Sequence, residues 1–125
     1  MPVCAPSLAR EKSLNAADLL QHRLIHSVKA QVQWKSWFAH QGIANDVPMK
    51  RLYFDRSHMV VDAAALGMGI ALESNLMMEQ ELKDGRLVVA VAQPPAMRIS
   101  TQWIVCPYTH LRRDRVQRFL EWIKR

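Results

Sequence analysis

The sequence is short of cysteine, of long apolar runs and of every common nucleotide or nucleophile motif. Cys4 and Cys106 are far apart in strand-like runs, with no Cys-x-x-Cys spacing and no nearby ligand pattern. They read as free buried thiols of a reducing compartment, which excludes a disulfide framework. No apolar stretch approaches the ~20 residues needed to span a bilayer. The first residues lack the basic-then-apolar profile of a secretion signal. These absences predict a soluble cytoplasmic protein with no membrane partner. There is no phosphate-binding loop, no third glycine after Gly67-Met68-Gly69 to complete a dinucleotide fingerprint, and no Gly-x-Ser-x-Gly elbow. His22 and His26 have the spacing of metal ligands on a helix, but one ends a helix and the other sits in a strand, without a third ligand. Ser27 beside His26 suggests a nucleophile, yet adjacent residues do not provide the required geometry. Neither an enzyme nor a cofactor is expected.

What is present suits one domain. The 125 residues are 50% hydrophobic and 22% charged, ordinary globular composition without repeats or low-complexity segments. The net charge of +6 gathers at one end, in Arg112, Arg113, Arg115, Arg118, Lys124 and Arg125. Such a terminal run reads as a solvated helix face, with a phosphate footprint as the alternative; a steep salt dependence of binding would mark the latter.

The stretch from Leu52 to Val91 organises the chain as strand, helix, strand, helix, strand. Leu52 to Phe54 is a strand run, and Ser57 stands at an N-cap position. A helix follows to about Leu66, with Met59, Ala63 and Leu66 on its buried face beside Val60 and Ala64. Gly67 ends it. Gly69 to Leu72 suits a buried strand. Ser74 can cap a helix through Lys83 that carries a Glu79–Lys83 pair. Asp84-Gly85 is a turn, and Leu87 to Val91 is strand sequence.

Upstream, Pro2 to Pro6 suits an edge strand or entry segment, and Ser7 to Lys12 one helical turn. Asn15 with Asp18 resembles a capping box that starts a short helix ending near His22. Arg23 to Ser27 predicts a strand. His26, Ser27, Val28 and Lys29 lie at its carboxyl end, leading through Ala30 to Gln33 into a helix. In open α/β sheets ligands bind outside such strand ends, which makes this the first place to look for one. Trp34, Trp37 and Phe38 form an aromatic stripe packed on the sheet, and Gln41-Gly42 closes that helix. Residues 45–49 are loop. After Val91, Gln93-Pro94-Pro95 breaks regular structure, Thr101 to Tyr108 alternates like a strand, and Val116, Phe119, Leu120 and Ile123 mark an amphipathic helix.

The ordered set Phe54, Val60-Val61-Asp62-Ala63-Ala64, Gly67-Met68-Gly69-Ile70-Ala71-Leu72, Glu81-Leu82 and Gly85-Arg86-Leu87-Val88 resembles the effector-binding region of LysR-type transcriptional regulators. Pro2 to Leu8, Asp18-Leu19-Leu20 with Leu24-Ile25-His26, and Trp34-Lys35-Ser36-Trp37-Phe38 before Gly42 look like the preceding segments of the glycine-cleavage-activator branch. Tyr108, followed by a helix with Phe119 and Trp122, looks like the family's ending. The resemblance covers nearly the whole chain.

It implies an α/β fold of the periplasmic-binding-protein-like type II, one subdomain of a partial effector-binding domain with a C-terminal amphipathic helix. Residues 1–108 would be the second subdomain, and 109–125 a helix that packs on a first subdomain. Apart from that closing helix, most of the first subdomain and the winged helix-turn-helix DNA reader are expected to have no counterpart in the sequence. The helix's apolar face must therefore fold back, meet another copy or stay exposed, and a homo-oligomer is expected.

The resemblance also implies a small-molecule effector as partner, with DNA reached only through the helix-turn-helix domain. Its expected contacts are His26, Ser27, Val28, Lys29, Ala30, Phe54, Ser57 and His58. Lys29 is either a solvated surface residue or the counter-charge of an anionic effector. Ser57 is a plain N-cap or an effector ligand, and Glu73, closing an apolar strand, is a cleft rim or a cap for the next helix. Two other readings stay open: a stand-alone binding module or remnant related to solute-binding proteins, and a small enzyme, for which no constellation is visible.

Overall fold

The structure, a computed structural model, describes residues 1–9, 14–44, 50–92, 97–100 and 102–125. Short strands rich in Val, Ile, Leu and Ala build one mixed sheet. They are β1 (Pro2–Cys4), β2 (Leu24–Ser27), β3 (Arg51–Phe54), β4 (Ile70–Leu72) and β5 (Val88–Val89), in the order β3-β2-β4-β1-β5. β2 runs parallel to β3 and β4, while β1 is antiparallel to β4 and β5. The inner strands β1, β2 and β4 are buried throughout, as a sheet covered on both faces requires. Edge strand β3 alternates exposed Arg51 and Tyr53 with half-buried Leu52 and Phe54.

The place of β1 corrects the expectation of an edge strand or entry segment. Val3 pairs with both Ala71 and Val89, so β1 is internal. Pro2 is tolerated because it takes the first strand position.

Successive strand residues face opposite core layers. Leu24, Ile70 and Leu72 meet α2 (Trp34–His40), whose Trp34, Trp37 and Phe38 are buried against them. The Trp34 ring stacks on Phe38 at 5.5 Å, and its Nε1 donates to the Ile25 carbonyl at 2.9 Å. Val3, Ile25 and Ala71 meet α3 (Ser57–Ala65) on the other face. The buried side of α3 is Val60, Val61, Ala63 and Ala64, while Met59 and Leu66 are exposed. The helix is thus rolled relative to the expected face: small alanines and paired valines let it lie close to the sheet. Gly67 ends it with a φ of 79°. Gly69 enters β4 so tightly that a Cβ there would lie 2.5 Å from the Arg23 carbonyl oxygen.

Three further helices complete the order: α1 (Pro6–Ala9), α4 (Glu79–Lys83) and α5 (Asp114–Ile123). The reciprocal bonds expected of Asn15 and Asp18 are formed, although Ala17, not Asn15, takes the N-cap position of the turn that follows. The Asp18 amide donates to Asn15 Oδ1 at 2.9 Å and the Asn15 amide to Asp18 Oδ2 at 3.1 Å, opening a 3-10 turn over Asp18–Gln21. The helix expected from Ser74 to Lys83 is divided into a 3-10 turn, Asn75–Met78, and α4, which carries the Glu79–Lys83 pair at 2.7 Å. β5 is shorter than the expected Leu87–Val91 run, with Val91 making only an isolated bridge to Leu14.

Of the strand expected over 101–108, residue 101 lies outside the described residues. Residues 102–107 make no strand pairing among the described residues, and Trp103, Ile104, Val105 and Tyr108 are exposed. Their alternation is real, but no described strand edge lies beside them. Cys4 is buried and free as expected, whereas Cys106 is half-buried and outside any strand. α5 follows the expected spacing but has no buried residue; Phe119, Trp122 and Ile123 are exposed. The loop expected over 45–49, the break at Gln93-Pro94-Pro95 and the remainder of the Ser7 to Lys12 turn after Ala9 lie outside the described residues. No helix among the described residues is long and apolar enough to cross a membrane.

Candidate functional site

The carboxyl ends of β2, β3 and β4 converge on one rim of the sheet, where loops and the start of α3 gather. Ser27 pairs with Phe54 across β2 and β3, and Ile25 with Ala71 across β2 and β4. Two residues further along the second ladder, Glu73 comes level with Ser27. Because side chains alternate along strands, Phe54, Ser27 and Glu73 form a row on the face that α3 covers. Ser27 is 4% exposed and Glu73 9%. Yet Ser27 Oγ and Glu73 Oε1 have no hydrogen-bond partner, nor has His26 Nε2 on the opposite face; Gln41 Nε2, at the end of α2, is the fourth such atom among the described residues. Buried polar atoms are ordinarily paired, and an orphan costs about 1–3 kcal/mol. Three orphans fall on two adjacent strand ends.

The loop from Val28 to Gln33 is held in shape by its backbone. The Val28 amide donates to the Phe54 carbonyl at 2.9 Å and the Ala30 amide to the Ser27 carbonyl at 3.2 Å. Gln33 Nε2 donates to the carbonyls of Ser27 and Ala30 at 3.0 and 2.8 Å, bracing the loop from inside. Val28 and Lys29 project outward and are exposed, and Ala30 is half-buried. Gln33 was not among the expected site residues; its only signal was a polar side chain just before a helix.

His26 packs on Tyr53 with ring centroids 4.9 Å apart. Burial lowers its pKa from the ordinary 6.5, and the charge of Arg51 lowers it further, both favouring the neutral ring. As strand neighbours, His26 and Ser27 point to opposite faces, and no serine–histidine couple forms.

Ser57 is not the N-cap. Arg56 takes that position with extended backbone, Ser57 is the first helical residue, and no side chain caps the helix start. The Ser57 hydroxyl bonds instead to the carboxyl of Glu73. Burial raises the Glu73 pKa; the Ser57 hydroxyl, the Ser74 amide and the chain's terminal ammonium oppose that shift. The Met1 ammonium donates to the Glu73 backbone carbonyl at 2.5 Å. His58 is exposed on the first turn of α3 and Phe54 is half-buried beneath it.

The eight expected residues therefore gather in two groups on one rim, 26–30 on β2 and its loop, and Phe54, Ser57 and His58 around the start of α3. The Val28–Phe54 bond joins them. Glu73 completes the rim, its sequence signal being a carboxylate at the end of an apolar strand. An open depression lined by Met1, Asn75, Leu76, Leu82, Glu79 and Lys83 contains none of the eight. Among the described residues no group of three His, Cys, Asp or Glu could hold a metal ion. The rim can bind by hydrogen bonds and charge.

The chain is similar to known proteins. The family model described as LysR substrate binding domain matches residues 1–125. An HTH-type transcriptional regulator of Sinorhizobium fredii is 35% identical over 134 aligned positions, which take in 100% of this chain and 42% of that protein. The glycine cleavage system transcriptional activator of Escherichia coli is 30% identical, over 98% of this chain and 40% of its own length. The effector domain of the transcriptional regulator AmpR of Pseudomonas aeruginosa superposes with a TM-score of 0.63 at 31% identity, covering 74% of this chain and 44% of that one. These relatives are transcriptional regulators, not enzymes. The chain spans about two-fifths of the length of the curated relatives.

Proposed function

The chain belongs to the LysR substrate-binding domain family, and from that premise we propose that it is the small-molecule effector-binding portion of a DNA-binding transcriptional regulator. The observation that carries this reading is the pair of buried, unpartnered polar atoms on the α3 face of the strand ends, Ser27 Oγ and Glu73 Oε1. Left empty, they cost stability; a ligand that pairs with them recovers it. Ser27, Val28, Lys29 and Ala30 offer a braced loop, Phe54 an apolar floor, and Ser57 and His58 the first turn of a helix. Lys29, exposed at the tip of the loop, supplies the counter-charge for an anionic group.

In the whole protein, effector binding here would favour one arrangement of a second α/β subdomain and, through it, of a helix-turn-helix DNA reader. That coupling requires different contacts in the two states. Residues 1–108 would form one lobe of the effector cleft and 109–125 a helix that packs on the other lobe, in a homo-oligomer of the cytoplasm. The uncovered apolar side of α5 supports this division.

The test is effector affinity in the whole regulator with Lys29→Ala and Ser57→Ala. Each is expected to weaken binding, by roughly 1–3 kcal/mol for a lost charged hydrogen bond. Unchanged affinity in both would remove the residue assignments.

A further inference from the structure

Resting on the strand-end site proposed above, we propose that Glu73 is the acceptor for a primary ammonium group of the effector. The row across the strand ends is an oxygen row. Ser27 Oγ and Glu73 Oε1 are both buried and both unpartnered. Ser27 can donate or accept, but an ionised carboxylate only accepts, so the complementary ligand atom carries N–H or O–H donors. The Met1 ammonium reaches the backbone carbonyl of Glu73 and leaves Oε1 unpaired.

Charge sharpens the assignment. A carboxylate in this position works against an anion at the start of α3, because the Ser57 hydroxyl that would greet the anion is already turned to Glu73. An incoming ammonium instead gives the unpartnered Glu73 Oε1 a charged donor. Lys29 stands exposed in the loop after β2, two residues beyond Ser27. The two charges therefore divide the rim, and the effector is a dipolar small molecule: its ammonium lies against Glu73 and Ser27, its anionic group toward Lys29. A neutral side chain at position 73 would fill the strand end without this selectivity.

The test uses amide resonances of the isotopically labelled 125-residue chain and three probes with three carbons each, propylammonium, propionamide and propionate. Propylammonium is expected to move the Ser27, Ser57 and Ser74 amides, and Glu73→Gln to weaken it roughly tenfold, the scale of one charge-assisted contact. Propionate is expected to move Lys29 and Ala30 instead, indifferent to Glu73→Gln. Glu73→Asp keeps the charge and should keep the preference for propylammonium over propionate. Propionate moving Ser27 and Ser57 while propylammonium moves nothing would overturn the inference and leave the site standing. Unchanged propylammonium affinity in Glu73→Gln, or propionamide binding as well as propylammonium, would also overturn it. If no probe moves any amide among 26–30 or 54–58, the strand-end site falls, and this inference with it.

Discussion

Residues 2–91 and 102–123 use the same apolar side chains and treat them oppositely. Val3, Ile25, Trp34, Phe38 and Val60 are at most 1% exposed, whereas Trp103 is 78%, Val105 90% and Trp122 65% exposed. Burial is set by what lies opposite a side chain, not by the side chain alone. The sheet finds helices on both faces. The C-terminal segment has the patterning of buried structure and, among the described residues, nothing laid against it. Exposed apolar surface of this kind marks an interaction face.

The difference can be broken most forcefully from the core side. Trp34→Ala removes the largest fully buried side chain together with its bond to the Ile25 carbonyl. It is expected to cost about 3–5 kcal/mol in denaturant unfolding, a large share of a typical domain's stability. Trp122→Ala, one exposed ring on α5, is expected to stay within about 0.5 kcal/mol. Equal losses would mean that α5 is packed after all.

Gly69→Ala comes next, since its Cβ would sit 2.5 Å from the Arg23 carbonyl oxygen. Backbone cannot yield as a side-chain end can, and a loss of roughly 1–3 kcal/mol is expected by the same unfolding measurement. Asn15→Ala, which opens the reciprocal pair with Asp18, should cost about 1 kcal/mol.

The rim has its own signature in pH. Glu73 has a raised pKa, so the folded state holds its proton more firmly than the unfolded chain does. Stability therefore declines as pH rises above the ordinary value of 4.5, until the folded carboxyl has ionised. His26 has a lowered pKa: the unfolded chain takes up its proton first, and stability declines as pH falls below 6.5. Stability measured against pH should thus lose its high-pH decline in Glu73→Gln and its low-pH decline in His26→Gln. A Glu73→Gln profile parallel to the unaltered protein would show that the carboxyl is not strained by burial.

Much of the helical structure was legible because its signals are local. The aromatic spacing of α2, the glycine after α3, the Asn15–Asp18 pair and the Glu79–Lys83 pair each act within a few residues. What was not legible depends on distant partners. Nothing near Pro2 says that Val3 will lie between Ala71 and Val89. Nothing in the alternation expected over 101–108 says that no described strand will stand beside 102–107. The roll of α3, which buries Val61 and leaves Met59 out, depends on how closely the alanines approach the sheet. Ser57 carried the right residue type for a cap but lies one position inside the helix, because Arg56 supplies the extended residue before it. At the site, His26 to Ala30 could be placed from a strand followed by a helix. The joining of Ser27, Ser57 and Glu73 required the register of β2 against β4.

The most direct measurement of the central claim is amide hydrogen exchange on the whole regulator, with and without the effector that changes its transcriptional output. Slowed exchange at 26–30 and 54–58 is the expected result, with α5 already protected by its covering subdomain before effector is added. Protection confined to 102–123, with the strand ends unchanged, would contradict the account and place recognition on the apolar C-terminal segment instead.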